Sequence, residues 1–248
     1  MWGARLEMTK SILFSYTDYP HLTDALQVQG VKVASEDLLR HGSFTFDLQG
    51  VSRAASHQIV RHRVASFSQQ SQRYVKITRS YGYLKPPSIP DNLRVPVKIN
   101  NQKLELSFTD VMDLTRQAEE ELVKKGVKAE DSRYLRPNAA TTNIVMSMSP
   151  RQLLHFFNLR CAADAQWEIR DLAWAMYASV RLATPQVFGQ LPAAEKSDYV
   201  KKRGMLVEDL VRKSFSEFSQ TPSGELYPLQ VQPSLDLVHP VEAFVRHY

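Results

Sequence analysis

The chain has few glycines and a single cysteine, and both shortages exclude classes of site. Its 248 residues include nine glycines. None of them form the Gly-x-Gly-x-x-Gly or Gly-x4-Gly-Lys-Ser/Thr patterns that bring backbone N–H groups against a phosphate. A Rossmann dinucleotide site and a P-loop are therefore not expected. Cys161 is the only cysteine, so the chain can form neither an internal disulfide nor a cysteine-based metal cluster.

Other absences bear on location and mechanism. No apolar run approaches the roughly 18 residues that cross a bilayer, and the first ten residues, MWGARLEMTK, lack the apolar core of a secretory signal. We therefore expect a reducing, cytoplasmic location and no membrane partner. His-Glu-x-x-His and Gly-x-Ser-x-Gly are absent, and His57 and His62 are five residues apart, which separates them on a helix. No metal site and no nucleophile elbow are expected.

The composition is that of a globular protein with a modest basic excess. Hydrophobic residues make up 43% and charged residues 23%, and the formal net charge is +5. This charge suggests an anionic partner without identifying its kind. A nucleic-acid-binding protein usually concentrates its basic residues in one stripe or tail. Here they are spread along the chain, and the densest cluster lies at residues 61–74.

The first half of the chain contains strand and helix patterns. Residues 11–16 and 43–53 have the apolar alternation of strands. Ser52 stands at an N-cap position, and residues 53–66 are predicted to form a helix that ends in a loop. Residues 81–96 hold four prolines and are predicted to be an irregular connection.

A helix is predicted after the proline-rich segment. Asp110 is its expected cap, Leu114, Ala118 and Leu122 share its apolar face, and Gly126 ends it.

The second half is predicted to continue with a strand at residues 137–149 and a helical stretch that ends at Pro185. Ser149 and Pro150 open this helix, with Gln152 completing a capping box. A break between Cys161 and Asp164 would divide it in two. The last 55 residues look helical at first and then turn-rich. Without repeats or low-complexity linkers, the pattern predicts one α/β domain.

Residues 61–74, RHRVASFSQQSQRY, are the first candidate site. Arg61, Arg63 and Arg73 occur there without any acidic residue. A solvated basic turn is one interpretation. An anion-binding site is the other, because unneutralised arginines repel one another and because the guanidinium fork pairs with phosphate or carboxylate oxygens. The interspersed serines and glutamines supply donors and acceptors suited to a base or sugar edge.

Residues 158–170, NLRCAADAQWEIR, are the second candidate site. On a continuous helix, Asn158, Cys161, Ala165 and Ile169 share a face, and Arg160 and Arg170 lie ten residues apart, within some tens of degrees of each other. Surface ion pairs of Glu168 or Asp164 with an arginine are an equally weighted interpretation. Cys161 is expected to be a packed small residue rather than a nucleophile.

The two segments together resemble the flavin-dependent thymidylate synthases. The resemblance consists of Arg-His-Arg, a seven-residue gap and Ser-x-Arg-Tyr, with FTFDLQGVSRAASHQIVRHR around it and NLRCAADAQWEIR downstream. It covers residues 43–79 and 133–182. It implies a single α+β domain over residues 1–248, with a mainly antiparallel sheet and long helices, which assembles as a homotetramer with shared active sites. The implied activity is reductive methylation of dUMP to dTMP with FAD, NADPH and methylenetetrahydrofolate.

The resemblance also implies roles for individual residues. The residues expected to contact dUMP are Gln58, Arg61, Gln69, Gln70, Ser71, Gln72, Arg73, Asn143 and Arg170. Those expected to contact FAD are Arg61, His62, Arg63, Gln69, Asn158, Arg160 and Asp164. Arg170 and Ser71 are the implied catalytic residues: Arg170 pairs with the uracil edge and favours its ionised form. Ser71 has no evident neighbouring base and is assigned to polarising and positioning dUMP.

Several positions differ from the usual family pattern. Asn143 stands where some members have a substrate-binding arginine, Asp164 where a neutral or basic residue is frequent, and Ser35 and Asp37 lie in a shortened upstream region. A second hypothesis therefore accompanies the enzyme: a non-synthase relative that binds nucleotide or nucleic acid through the same arginines. For the enzyme, no nucleic-acid partner is expected.

Overall fold

The computed structural model describes residues 9–17, 19–30, 38–71, 82–188 and 241–244. Their elements in chain order are β1 (Lys10–Tyr16), α1 (Tyr19–Val28), β2 (Phe44–Ser52), α2 (Arg53–Ile59), β3 (Ser66–Gln69), β4 (Arg94–Ile99), β5 (Gln102–Ser107), α3 (Phe108–Lys124), α4 (Ala129–Ser132), a 3-10 turn (Arg133–Leu135), β6 (Thr141–Met148), α5 (Pro150–Arg160), α6 (Trp167–Ala183), α7 (Pro185–Phe188) and β7 (Val241–Phe244).

Five strands form one antiparallel sheet in the order β3-β6-β2-β1-β7. Alternate residues of β2, Phe44, Phe46 and Leu48, are fully buried, as are Ile144 and Met146 of β6. The residues between them form a polar face, on which the hydroxyls of Thr45 and Ser147 are hydrogen-bonded across the strands at 2.8 Å. This is the pattern of an antiparallel sheet with one face in the core.

Helices α5 and α6 supply most of the remaining core. Leu153, Phe156 and Phe157 of α5 and Leu172, Met176 and Tyr177 of α6 are fully buried in one cluster with the sheet residues. The rings of Phe157 and Tyr177 meet edge to face at 5.4 Å between centroids, a favourable arrangement for aromatic pairs. The mixture of helices and an antiparallel sheet confirms the α+β class.

The predicted strands and most helix ends are confirmed. The segments predicted at residues 11–16, 43–53 and 137–149 contain β1, β2 and β6. Ser149 is an N-cap that accepts from the Gln152 N–H, with Pro150 in the first turn. The helical stretch breaks after Arg160, and α6 ends before Pro185.

The prediction of a helix over residues 53–66 is wrong in its second half. Ser52 is the N-cap, as expected, but α2 ends at Ile59 with Val60 as its C-cap. Residues 66–69 are instead strand β3, paired with β6. The open edge of β6 satisfies backbone groups that a longer helix would satisfy internally, and such long-range pairing overrides local propensity.

Two predictions for residues 94–126 are wrong. Pro96, predicted in the irregular connection, lies in β4, which forms a hairpin with β5 across Asn100 and Asn101, both at positive φ. Ser107, rather than Asp110, is the N-cap of α3, and Asp110 is the third residue of a capping box. The end at Gly126, with a φ of +89°, is confirmed.

The apolar face predicted for α3 is also wrong. Leu114 is 47% exposed and Ala118 is exposed, whereas Met112 and Glu119 are buried. Glu119 turns inward because Arg136 meets it: the Arg136 Nη2 lies 2.7 Å from the Glu119 Oε1, and both side chains are almost completely buried.

Within the described ranges, no helix combines the length and the apolar character that a bilayer crossing requires. Most of the C-terminal 55 residues lie outside those ranges. Residues 241–244 are described, and they are a strand, β7, beside β1.

Candidate functional site

The chain reaches the Arg-His-Arg motif through a helix that is fixed at both ends. The Ser52 hydroxyl accepts from the Ala55 N–H at 3.1 Å, and the Val60 N–H closes the last turn of α2 on the Ser56 carbonyl. The His62 N–H then bonds to the Ile59 carbonyl at 3.1 Å. This turn leaves the flanking residues Arg61 and Arg63 exposed and His62 half-buried.

Arg160, at the end of α5, joins the two candidate sites. Its Nε donates to His62 Nε2 at 3.0 Å. Its Nη1 and Nη2 donate to the side-chain and backbone carbonyl oxygens of Gln58 at 3.4 Å each. Three residues that the resemblance assigned to ligands are therefore in one hydrogen-bonded group, although 98 residues separate His62 from Arg160.

His62 is held in its neutral form. Since the Arg160 Nε–H can only donate, His62 Nε2 accepts, and the ring proton lies on Nδ1. The ring packs edge to face on Phe156, at 4.8 Å between centroids. Burial, then the charge of Arg160 and that of His155, lower the pKa of His62 from 6.5 to about 4. At neutral pH the imidazole therefore adds no charge to the site.

The charge of the site comes from arginines. Burial and the neighbouring charge of Arg61 lower the pKa of Arg160, and its guanidinium group stays a cation because arginine is not deprotonated in proteins. Arg61 and Arg63 add two exposed guanidinium groups on the same turn. Within the part of the chain that the structure describes, no group of three or more His, Cys, Asp or Glu side chains could hold a metal ion. The arrangement suits an anion.

Strand β3 presents the glutamines beside β6. Gln69 pairs with Ile144, and its side-chain amide lies 3.5 Å from the Thr142 hydroxyl. The Gln70 N–H bonds to the Asn143 carbonyl at 2.9 Å, and the Asn143 amide donates to the Gln70 side chain at 3.1 Å. Gln69, Gln70 and Ser71 are all exposed. Gln72 and Arg73, the remaining predicted contacts of this segment, lie outside the described residues, as do Ser35 and Asp37.

Asn143 connects this segment to the sheet interior as well. Its side-chain oxygen accepts from the Gly50 N–H at 3.0 Å. Gly50, at a φ of +66°, lies in the irregularity where the β2–β6 register shifts, a conformation that favours glycine. At Asn143, where the resemblance implied a contact with dUMP, the side-chain amide therefore bridges β2 and residues 69–71, the glutamine segment.

The second candidate segment does not form one helical face. The chain leaves the helix between α5 and α6, so Asn158 and Arg160 lie on one helix and Arg170 on the next. Cys161 is fully buried, as expected, whereas Asn158 and Asp164 are exposed. The Arg170 Nη1 donates to the Ala163 carbonyl at 2.8 Å and to the Ala165 carbonyl at 3.4 Å. Arg170 thus holds the connection between the two helices.

Sequence reasoning missed two features of this region. The exposed side of α5 contains a shallow depression lined by Arg151, Gln152, Leu154, His155 and Asn158. Glu168 is buried and accepts hydrogen bonds from both the backbone N–H and the hydroxyl of Ser52, 116 residues away. The capping potential of Ser52 was visible in the sequence, but no local pattern pairs it with Glu168.

Comparison with known proteins identifies a family. Residues 21–186 match the family described as thymidylate synthase complementing protein. Among curated proteins, the chain is 45% identical over 158 residues to the flavin-dependent thymidylate synthase of Geobacter sulfurreducens, covering 64% of this chain and 65% of that protein. It is 41% identical over 152 residues to that of Sulfolobus acidocaldarius, covering 61% and 54%. The matched region therefore spans between half and two thirds of the length of each of these two relatives.

Proposed function

Because the chain belongs to the thymidylate synthase complementing protein family, we propose that it is a flavin-dependent thymidylate synthase. The reaction is the reductive methylation of dUMP to dTMP, with methylenetetrahydrofolate as the one-carbon donor and NADPH as the source of electrons. The observation that carries the proposal is the bonding of Arg160 to His62 and Gln58. These hydrogen bonds bring together residues 43–79 and residues 133–182, the two parts of the chain that carry the resemblance.

The residues present fit FAD in charge and in hydrogen-bonding chemistry. Arg61, Arg63 and Arg160 offer guanidinium groups to a diphosphate, and neutral His62 offers a single Nδ1–H donor without a further positive charge. Asn158 and Gln69 supply amides for the uncharged parts of the cofactor, and Asp164 is the assigned contact that differs in charge. When bound, FAD supplies the hydride-transfer chemistry, and the protein binds and orients.

In the proposed dUMP site, the glutamine segment positions the nucleotide. Gln70 is fixed by Asn143 through two hydrogen bonds, so its side chain meets a ligand with little remaining freedom. Ser71 follows it directly and orients and polarises the base. Gln58, Gln69, Gln72, Arg61 and Arg73 complete the proposed contacts, with Asn143 contributing through Gln70.

Arg170 is the proposed partner of the uracil edge. Its Nη1 bonds to the Ala163 and Ala165 carbonyls, which fixes the plane of the guanidinium group before substrate arrives. A fixed cation beside the uracil edge favours the ionised pyrimidine, because an adjacent positive charge lowers the pKa of an acidic N–H. We also propose the homotetramer with shared active sites that the resemblance implies.

The visible absorption spectrum of the purified protein, followed by titration with dUMP, tests the proposal. We expect a flavin spectrum that changes when dUMP is added, and oxidation of NADPH that depends on dUMP and methylenetetrahydrofolate. A colourless protein that takes up no added FAD contradicts the proposal. If such a protein bound nucleic acid with an affinity that falls steeply with salt, the non-synthase hypothesis would replace it.

A further inference from the structure

Glu168 is a buried carboxylate outside the set of residues assigned to ligands. Its side chain is part of a residue only 1% exposed, and Ser52, its partner, is 2% exposed. The Ser52 N–H donates to Glu168 Oε1 at 2.7 Å, and the Ser52 hydroxyl donates to Oε2. The Glu168 carboxylate therefore accepts two hydrogen bonds from Ser52, which is the N-cap of another helix, α2.

Both partners lie at helix N-termini. The Ser52 hydroxyl, which donates to Glu168, also accepts from the Ala55 N–H as the N-cap of α2. Glu168 lies in the first turn of α6, where the Gln166 side chain accepts from the Glu168 and Ile169 N–H groups at 3.1 Å each. A negative charge between two helix N-termini is stabilised by the dipoles of both helices.

The two helices carry the two halves of the proposed site. Six residues after Ser52, α2 presents Gln58, and the Arg-His-Arg turn follows it. Two residues after Glu168, α6 presents Arg170. A change in the Ser52–Glu168 contact would therefore shift Arg170 relative to Gln58 and to Arg160, which is bonded to Gln58.

We propose that Glu168 is a positioning residue that fixes the separation of α2 and α6, and thereby the distance between the Arg-His-Arg segment and Arg170. The inference rests on the proposed function, since the consequence of the contact is the geometry of the dUMP site. Glu168 itself touches neither dUMP nor FAD in this proposal and acts through Ser52.

Three variants and one control test the contact. Glu168→Gln keeps one acceptor oxygen but loses the second. Ser52→Ala removes the hydroxyl and keeps the backbone N–H, and Ser52→Thr keeps both donors. Glu119→Gln is the matched control, because Glu119 is a second carboxylate with 1% exposure. Glu119 lies on α3 and is bonded to Arg136, which follows the 3-10 turn, and not to a helix of the proposed site.

Binding and turnover give the functional readout. We measure flavin content, the dUMP dissociation constant from the flavin absorbance, and the KM for dUMP separately from kcat. For Glu168→Gln and Ser52→Ala we expect about tenfold weaker dUMP binding with flavin content retained. The combined change should weaken binding by clearly less than the sum of the two free-energy losses, because both variants break the bond between the Ser52 hydroxyl and Glu168, although Ser52→Ala also removes the N-cap of α2. Ser52→Thr and Glu119→Gln should keep dUMP affinity within about twofold of wild type.

Equal dUMP affinity in wild type, Glu168→Gln and Ser52→Ala would overturn the proposal, as would additive losses in the double variant. If Glu168→Gln does not fold, the Ser52→Ala and Ser52→Thr pair decides: equal affinities in these two refute the positioning role.

Amide hydrogen exchange separates failure of this inference from failure of the proposed function. In Glu168→Gln, protection of residues 53–59 should fall by more than protection of the rest of the described core. In Glu119→Gln, which lowers the stability of the whole fold, residues 53–59 should lose no more protection than that core does. If wild type binds neither FAD nor dUMP, the function fails while the exchange result still judges the contact. Unchanged protection in Glu168→Gln would overturn the contact whatever the enzyme does.

Discussion

Acid destabilises the folded chain through His62, and the size of the effect follows from its surroundings. Burial and the charges of Arg160 and His155 hold the pKa of His62 at about 4 in the folded chain, against 6.5 without these influences. In the unfolded chain the imidazole regains the higher pKa. Between these two values the unfolded state binds more protons than the folded state, so stability falls as the pH is lowered through this window.

The difference between the two pKa values sets the largest decrease in the free energy of unfolding that His62 can cause. Linkage gives a decrease of about 2 kcal/mol in the free energy of unfolding between pH 8 and pH 5. Because the ring is only half-buried, solvent screening reduces the expected loss to about 1 kcal/mol. Protonation would also turn the acceptor Nε2 into a donor that faces Arg160, so the 3.0 Å hydrogen bond would be lost with it.

His62→Gln isolates this contribution. The glutamine side-chain oxygen reaches approximately the position of Nε2 and accepts from Arg160, but it does not titrate between pH 5 and pH 8. Urea unfolding of both proteins at several pH values in this range gives the difference in stability at each pH. We expect the wild-type curve to fall below the His62→Gln curve by about 1 kcal/mol on going from pH 8 to pH 5. Parallel curves would refute the buried, neutral state of His62.

Two further predictions concern single contacts. Arg170→Ala should lower the free energy of unfolding by about 1–2 kcal/mol, because the Ala163 carbonyl loses its charged donor. It should retain flavin and abolish dTMP formation, and near-normal turnover, measured as product formed, would contradict the role of Arg170. Glu119→Gln should lower stability by about 3 kcal/mol and the melting temperature by roughly 5–10 °C, because it leaves the buried Arg136 charge without its counter-ion. A calorimetric shift of less than a degree would show that the pair contributes little.

The buried faces of the strands and the helix caps could be predicted because they depend on residues that are close together in the sequence. The alternation of Phe44, Phe46 and Leu48 indicates which side of β2 is buried, and serine before a helical pattern indicates the caps at Ser52 and Ser149. Strand β3 could not be predicted in this way. Nothing between Ile59 and Ser66 breaks a helix, and the choice of strand depends on β6, which lies more than seventy residues away in the chain.

The same distinction between local patterns and long-range contacts applies to the candidate site. The arginines of residues 61–63 and the glutamines after them were predicted from local pattern and resemblance. The hydrogen bond from Arg160 to His62 and the contact of Glu168 with Ser52 join distant parts of the chain. The assumption of one helix through residues 158–170 placed Arg160 and Arg170 on a common face, and the break in the helix after Arg160 invalidates it. Glu119 was missed because a charged residue on a helix usually faces solvent.

Strand β6 limits which changes in chain length the protein can accept. It pairs with β2 on one side and β3 on the other, with Asn143 facing Gln70 and Ile144 facing the core. Because side chains alternate along a strand, inserting or deleting one residue near Asn143 would exchange the two faces for the rest of β6. Core packing and the glutamine segment would be lost together. Insertions and deletions are therefore expected in the hairpin turn at Asn100 and Asn101, while the length of β6 stays constant.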